Sequence, residues 1–163
     1  MLRLAIVLTV ASAVAAQDQP SASGTFTVKG KAAKMAYAYA TSRPNPMDKK
    51  KAAIRLLLSD VAIPAKTLQS EQPFDLQDLA RAGTLHAIEA LIDVADKNVL
   101  ATMMYDAGFK MSSVSVAGTN IKLDLKTLDA TTIAGRLYTE KPDDFNDVPF
   151  QYDITFRATI AAK

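Results

Sequence analysis

The stretch from Phe150 to Ile160 alternates without a break. Phe150, Tyr152, Ile154, Phe156, Ala158 and Ile160 share one parity, and Gln151, Asp153, Thr155, Arg157 and Thr159 share the other. Successive side chains of an extended chain point to opposite faces, so this segment predicts a strand with one apolar and one wet face. A wet face belongs to an antiparallel sheet, because parallel sheets are covered on both sides and read as near-continuous apolar runs. At roughly 3.3 Å per residue the segment extends about 36 Å. A strand of that length bends, or pairs with different neighbours at its two ends.

Other segments repeat the pattern. Ile121, Leu123 and Leu125 alternate with Lys122, Asp124 and Lys126, and Val114 and Val116 with Ser113 and Ser115. Ile133, Gly135 and Leu137 alternate with Ala134, Arg136 and Tyr138; the glycine marks a bulge or a close backbone approach. Residues 85–94 set Ile88, Ala90, Ile92 and Val94 against Glu89 and Asp93. Phe26 and Val28 lead through Lys29-Gly30-Lys31 into residues 32–41, a hairpin pattern. Within 52–59, Leu56-Leu57-Leu58 is too continuous for a wet face and predicts burial on both sides. Turn signals at Asp96-Lys97-Asn98, Asp106-Ala107-Gly108, Ala117-Gly118-Thr119-Asn120 and Asp129-Ala130-Thr131 separate these runs. Short strands at this spacing form a meander, a sandwich or a barrel, with sequential neighbours paired.

One segment breaks the period. Residues 73–83 read as a helix, with Pro73 at the first position, Asp75 and Asp78 in the early turns and Gly83 at the stop. Phe74, Leu79 and Leu76 would face a sheet, making the helix a short lid or plug between strands, or a plain connector. The expectation is one all-β domain, an antiparallel meander of about eight or nine strands with one short helix. It is barrel-like or a sandwich, with a curved sheet closing into a barrel preferred.

The N-terminus carries an address. Arg3 precedes an apolar run from Leu4, and Ala13-Val14-Ala15-Ala16 ends it. A basic start, a short apolar core and an A-x-A-like end read as a secretory signal peptide, cut after Ala15 or Ala16. The run is shorter than the roughly 20 residues that span a bilayer, so no transmembrane segment is expected. Residues 1–16 are thus read as signal, 17–23 as a polar linker and 24–163 as the domain, placed outside the cytoplasm, periplasmic or secreted. A net charge of +2, one unit of it from Arg3, leaves no footprint for nucleic acid. Cysteine is absent, which excludes lipidation at the cleavage site, thiol catalysis and thiolate metal sites.

The candidate chemistry is sparse. His86, the sole histidine, shares parity with Ile88 and points at a core or an interior cavity. It is a general base or a ligand-orienting group, or else a buried neutral imidazole. No G-x-S-x-G elbow accompanies it. Asp143, Asp144, Asn146 and Asp147 offer oxygen donors to calcium, but without the glycine and distal glutamate of the EF-hand they also read as a solvated hairpin loop. Met35, Met47, Met103, Met104 and Met111 lack a repeated spacing and read as core filling rather than a copper site. Lys49-Lys50-Lys51 reads as edge protection sooner than an anion site. Tyr37 and Tyr39 share a face with Met35, while Ala36, Ala38 and Ala40 line the other; in a closed sheet those alanines leave room for an apolar ligand. The ligand-binding candidates are Tyr37, Tyr39, His86 and Ile88. No catalytic residue, metal or cofactor is assigned.

Gly24-Thr25-Phe26-Thr27-Val28-Lys29-Gly30, Ala38-Tyr39-Ala40 and Leu56-Leu57-Leu58-Ser59-Asp60 resemble the opening of a family of uncharacterised exported bacterial β-rich proteins. The resemblance continues in 132–139 and 150–156 and covers roughly 24–160. It implies an exported β domain; the family has no assigned activity, so no functional residue carries over. The leading functional expectation is a non-enzymatic binding module for a small apolar ligand, in a cavity lined by Tyr37, His86 and Ile88, or for an envelope protein partner. A hydrolase using His86 with an acidic partner is the alternative. A structural or assembly subunit with an exposed apolar patch or a free sheet edge is the third.

Overall fold

A computed structural model describes residues 21–70, 74–118 and 120–162. The expected signal peptide and residues 17–20 of the expected linker lie outside the described residues, as does Pro73. The strands are β1 (Ala22–Val28), β2 (Lys31–Lys34), β3 (Tyr37–Pro44), β4 (Ala52–Ser59), β5 (Ala87–Asp93), β6 (Val99–Tyr105), β7 (Ser113–Val116), β8 (Ile121–Leu128), β9 (Thr132–Thr139), β10 (Asp143–Phe145) and β11 (Val148–Ala161). Helices α1 (Ala65–Gln69) and α2 (Phe74–Arg81) lie between β4 and β5. The protein is all-β, as expected, with eleven described strands. β1 starts at Ala22, and the Ser21 hydroxyl accepts from the Ala38 amide (2.8 Å), so ordered sheet begins inside the stretch read as linker.

β11 organises the molecule. Its first half pairs antiparallel with β1 on one side, β10 and then β9 pair along the other, and its last residues run parallel to β3 through Ile160 and Ala161. Of the two outcomes expected for a strand of this length, a bend or a change of partners, the structure shows the change of partners. One layer is therefore β2-β1-β11-β9-β8, and the other is the meander β3-β4-β5-β6-β7. The sheet does not close, so the preferred barrel gives way to a sandwich-like fold. β7 and β8 are consecutive in the chain, but among the described residues each pairs with one strand only, and the two edges are not paired with each other.

Two cores result. Between the layers lie Phe26, Leu56, Leu58, Ile88, Met104, Ile133, Leu137, Phe150, Tyr152, Ile154 and Phe156, all almost fully buried. On the outer face of the meander, Leu57, Tyr105, Ala87 and Leu85 pack beneath the helices with Leu76 and Ala80 of α2. Leu57 thus faces the helices while its neighbours face the interior, which explains the uninterrupted leucines. Fully burying one such side chain contributes about 1.5–3 kcal/mol. On α2, Leu76 and Ala80 are buried and Leu79 is half-buried, but Phe74 is 61% exposed and faces away from the sheet.

Met35 corrects a parity reading. It lies in the main core with Ala38 and Ala40, because residues 35–36 form a corner between β2 and β3 that resets the alternation. Gly135 behaves as expected in both senses. A Cβ there would collide with the Asp124 carbonyl oxygen, and a bulge in β8 lies beside it, between Leu125 and Thr127. Among the described residues no helix is long and apolar enough to cross a membrane.

Candidate functional site

Ala87 of β5 sits opposite Tyr105 of β6, and one step further the register brings His86 opposite Asp106 at the interior rim. His86 Nδ1–H donates to Asp106 Oδ2 at 2.6 Å. The other Asp106 oxygen accepts from the Gly108 amide at 2.6 Å, and the Phe109 amide donates to the Asp106 carbonyl. Those bonds fold residues 106–112 into a tight loop. Phe109 of that loop is buried against Phe150, with ring centres 6.5 Å apart. A Cβ on Gly108 would press on both the Asp106 carboxylate and Val28. Glycine there lets the loop lie flat on the end of β1.

On its other side His86 is held by Asp60. The His86 amide donates to Asp60 Oδ1 (2.9 Å), and the Asp60 amide donates to the His86 carbonyl (3.1 Å). The imidazole is about one-third exposed, at 32%, while Asp106 is almost covered. Nδ1 is engaged by the carboxylate, and Nε2 has no hydrogen-bond partner among the described residues.

The loop also meets α2. The Gln77 side-chain amide donates to the Met111 carbonyl at 2.5 Å, tying the loop's end to the helix. Phe74 stands one helical turn before Gln77. Met111 is 66% exposed, so two large apolar side chains border the tie in solvent. Ser112, at φ 58°, turns the chain into β7, and its carbonyl accepts from the Asp106 amide.

The four ligand-binding candidates do not converge. His86 lies at the rim, while Ile88 is sealed in the main core. Tyr39 points to the opposite face of the meander, where its hydroxyl accepts from the Ile63 amide (2.9 Å) and its ring packs on the minor core. Tyr37 shares that outer side and is half-buried. The meander sheet separates the buried Ile88 from the ring of Tyr39. A shallow recess of about 400 Å³ lies elsewhere, lined by Ser21–Ser23 and Thr155–Arg157.

The remaining candidates disperse too. Asn146 and Asp147, at φ 50° and 63°, make the hairpin turn into β11, and Asp143 accepts from the Asn120 amide (2.9 Å). Among the described residues no three His, Cys, Asp or Glu side chains gather as a metal would need. Met104 is in the main core and Met103 packs on the opposite face, as adjacent strand residues must. Lys51 contacts Asp96 at 3.6 Å in an exposed turn.

Sequence reasoning singled out His86 but missed Asp106, Gly108, Gln77 and Met111 as its surroundings. The Asp-Ala-Gly turn signal was visible; its folding back onto the histidine was not. No family model, curated protein or solved structure matches the chain.

Proposed function

We propose that this chain is an exported, non-enzymatic binding module whose partner is a protein of the envelope or exterior, engaged by the Phe74–Gln77–Met111 surface beside His86. The observation that carries this reading is the exposure of Phe74 and Met111 on two elements joined by a hydrogen bond. Aromatic residues and methionine are enriched where proteins dock, and the half-buried imidazole of His86 at the rim adds a polar anchor. Export rests on residues 1–16, and membership of the exported β-rich family rests on the strand and turn motifs quoted above. A small apolar ligand has less support, since aromatic side chains fill the space between the layers.

A photo-cross-linking residue at position 111 tests the surface in cells that export the protein, with position 144 as control. A discrete protein adduct from 111 alone, weakened by Phe74→Ser, is expected. Its absence overturns the reading. The mature protein should begin at Ala16 or Gln17; intact Met1 on the folded cytoplasmic protein overturns export.

One observation favours hydrolysis as a second reading. The 2.6 Å bond between His86 and Asp106 is the orientation that a general base needs. That reading expects hydrolysis of simple aryl esters, abolished by His86→Gln and by Asp106→Asn. Equal rates in all three proteins reject it.

A further inference from the structure

We infer that β8 is a homodimerisation edge, on which a second copy of this chain pairs antiparallel about Leu123. Nothing in the Phe74–Met111 surface is used, so the two proposals stand or fall separately.

β8 is eight residues long and, among the described residues, pairs only with β9. On the other long strands most inward-facing residues are almost completely buried, whereas on β8 Ile121, Leu123, Leu125 and Leu128 are all only partly buried while packing on the main core. The layer therefore stops with part of its apolar stripe uncovered. Its charged side chains project to the outer face, so no inward-pointing charge blocks the edge in the way that protects many edge strands.

The backbone phase is fixed by one hydrogen bond. The Glu140 amide donates to the Asn120 carbonyl at 3.0 Å. Hydrogen-bonded pairs alternate along an antiparallel ladder, so residues 120, 122 and 124 turn their backbone groups toward β9. Residues 121, 123 and 125 turn theirs outward, free to pair.

Charge then selects the register. Centring the pair on Leu123 places Leu123 against its own copy and Ile121 against the second copy's Leu125. The outward-turned residues meet each other and can exchange hydrogen bonds. The same register sets Lys122 against the second copy's Asp124, and Asp124 against its Lys122. Opposite charges meet twice in the closely spaced, non-hydrogen-bonded positions. Moving the centre by one residue, to Asp124, shifts each partner by two and opposes two aspartates and two Lys122–Lys126 pairs. The step beyond that runs into the bulge after Leu125. The favoured arrangement is a closed two-fold contact, self-complementary as a symmetric dimer must be.

Within the monomer Lys122 already touches Glu140 at 3.6 Å, an exposed contact that leaves the ammonium open to a second carboxylate. The test is sedimentation equilibrium on the exported protein as purified, from about 1 to 500 µM, a range suited to a small interface. A dimer is expected in the wild type. Lys122→Asp and Asp124→Lys each put like charges in contact twice and should weaken it roughly tenfold or more. The double swap Lys122→Asp/Asp124→Lys restores complementarity and should restore the dimer. A wild type that stays monomeric overturns the proposal, and so do single swaps that dimerise like the wild type. Should a single swap unfold, amide exchange in the wild type decides. Protection at Ile121, Leu123 and Leu125 should rise with protein concentration, and unchanged protection overturns the inference.

Discussion

Replacing Tyr152 with phenylalanine should stabilise this protein. Tyr152 is 1% exposed, between the two layers. Its ring meets Phe26 edge-on at 6.3 Å and stacks with Phe150 at 6.5 Å. Phenylalanine keeps both contacts. The hydroxyl is the buried side-chain polar atom with no hydrogen-bond partner among the described residues. Burial pushes its pKa up, and the opposing influence comes from the hydroxyl of Thr102. Thr102 directs its own proton to the Val116 carbonyl at 2.8 Å. Its oxygen can still accept, but its contact with the Tyr152 hydroxyl falls outside hydrogen-bond geometry. An unsatisfied buried hydroxyl costs about 1–3 kcal/mol. The Thr102 dipole and the small void left by one oxygen argue for the low end, about 1 kcal/mol gained. In a domain of this size that is a rise in Tm of about 3–5 °C.

Thermal and urea unfolding of wild type and Tyr152→Phe measure the change, with an unchanged denaturant slope as the check that the unfolded state is the same. A double-mutant cycle with Thr102→Val isolates the pair. The coupling should stay below about 0.5 kcal/mol, within the range of independent sites. A fall in Tm for Tyr152→Phe, or a coupling near 1 kcal/mol or above, would show that the hydroxyl is satisfied by Thr102 or a bridging water, and the reasoning fails.

Three further outcomes follow from the same geometry. Gly135→Ala should cost about 1–3 kcal/mol through the collision with the Asp124 carbonyl, whereas Gly118→Ala, with open space around it, should be neutral in the same unfolding assay. The Arg136 guanidinium holds Asp153 below its ordinary 3.8, and the amides of Thr131 and Thr132 do the same for Asp129. Each carboxylate binds its proton more weakly folded than unfolded, so the stability it supplies is complete above that value and is lost as pH falls through the lower folded values. Tm should decline below about pH 4, and Asp153→Asn should flatten that decline. Asp106→Ala removes the acceptor for both His86 and the Gly108 amide; amide exchange at Gly108 and Phe109 should quicken at least tenfold, while exchange at Leu56 should follow only the change in global stability.

The fold was legible because burial speaks in period two. Phe150 to Ile160 predicted a strand that bends or changes partners, and β11 changes partners. Leu56-Leu57-Leu58 predicted two covered faces, and two cores flank it. What failed did so for local reasons. α1 is a five-residue helix with no buried side chain, so it leaves no apolar period to read. Met35 broke parity at a corner. Barrel closure depends on whether β7 and β8 meet, and alternation along each strand says nothing about which edges join.

The histidine site shows why placement was harder than fold. His86 and Asp106 are twenty positions apart, and whether they face each other depends on a register counted across a hairpin. Ile92 pairs with Val99 beside the turn, and carried unshifted that register sets His86 opposite Tyr105. The bulge between Leu91 and Ile92 displaces one strand by one residue, and Asp106 takes the place of Tyr105. A one-residue slip exchanges the two faces of a strand. The same bulge therefore leaves Tyr105 beneath the helices and Asp106 at the rim. It carries no glycine or proline to announce it. The pairing of the histidine with its carboxylate is a consequence of that irregularity, and alternation within either strand is silent about it.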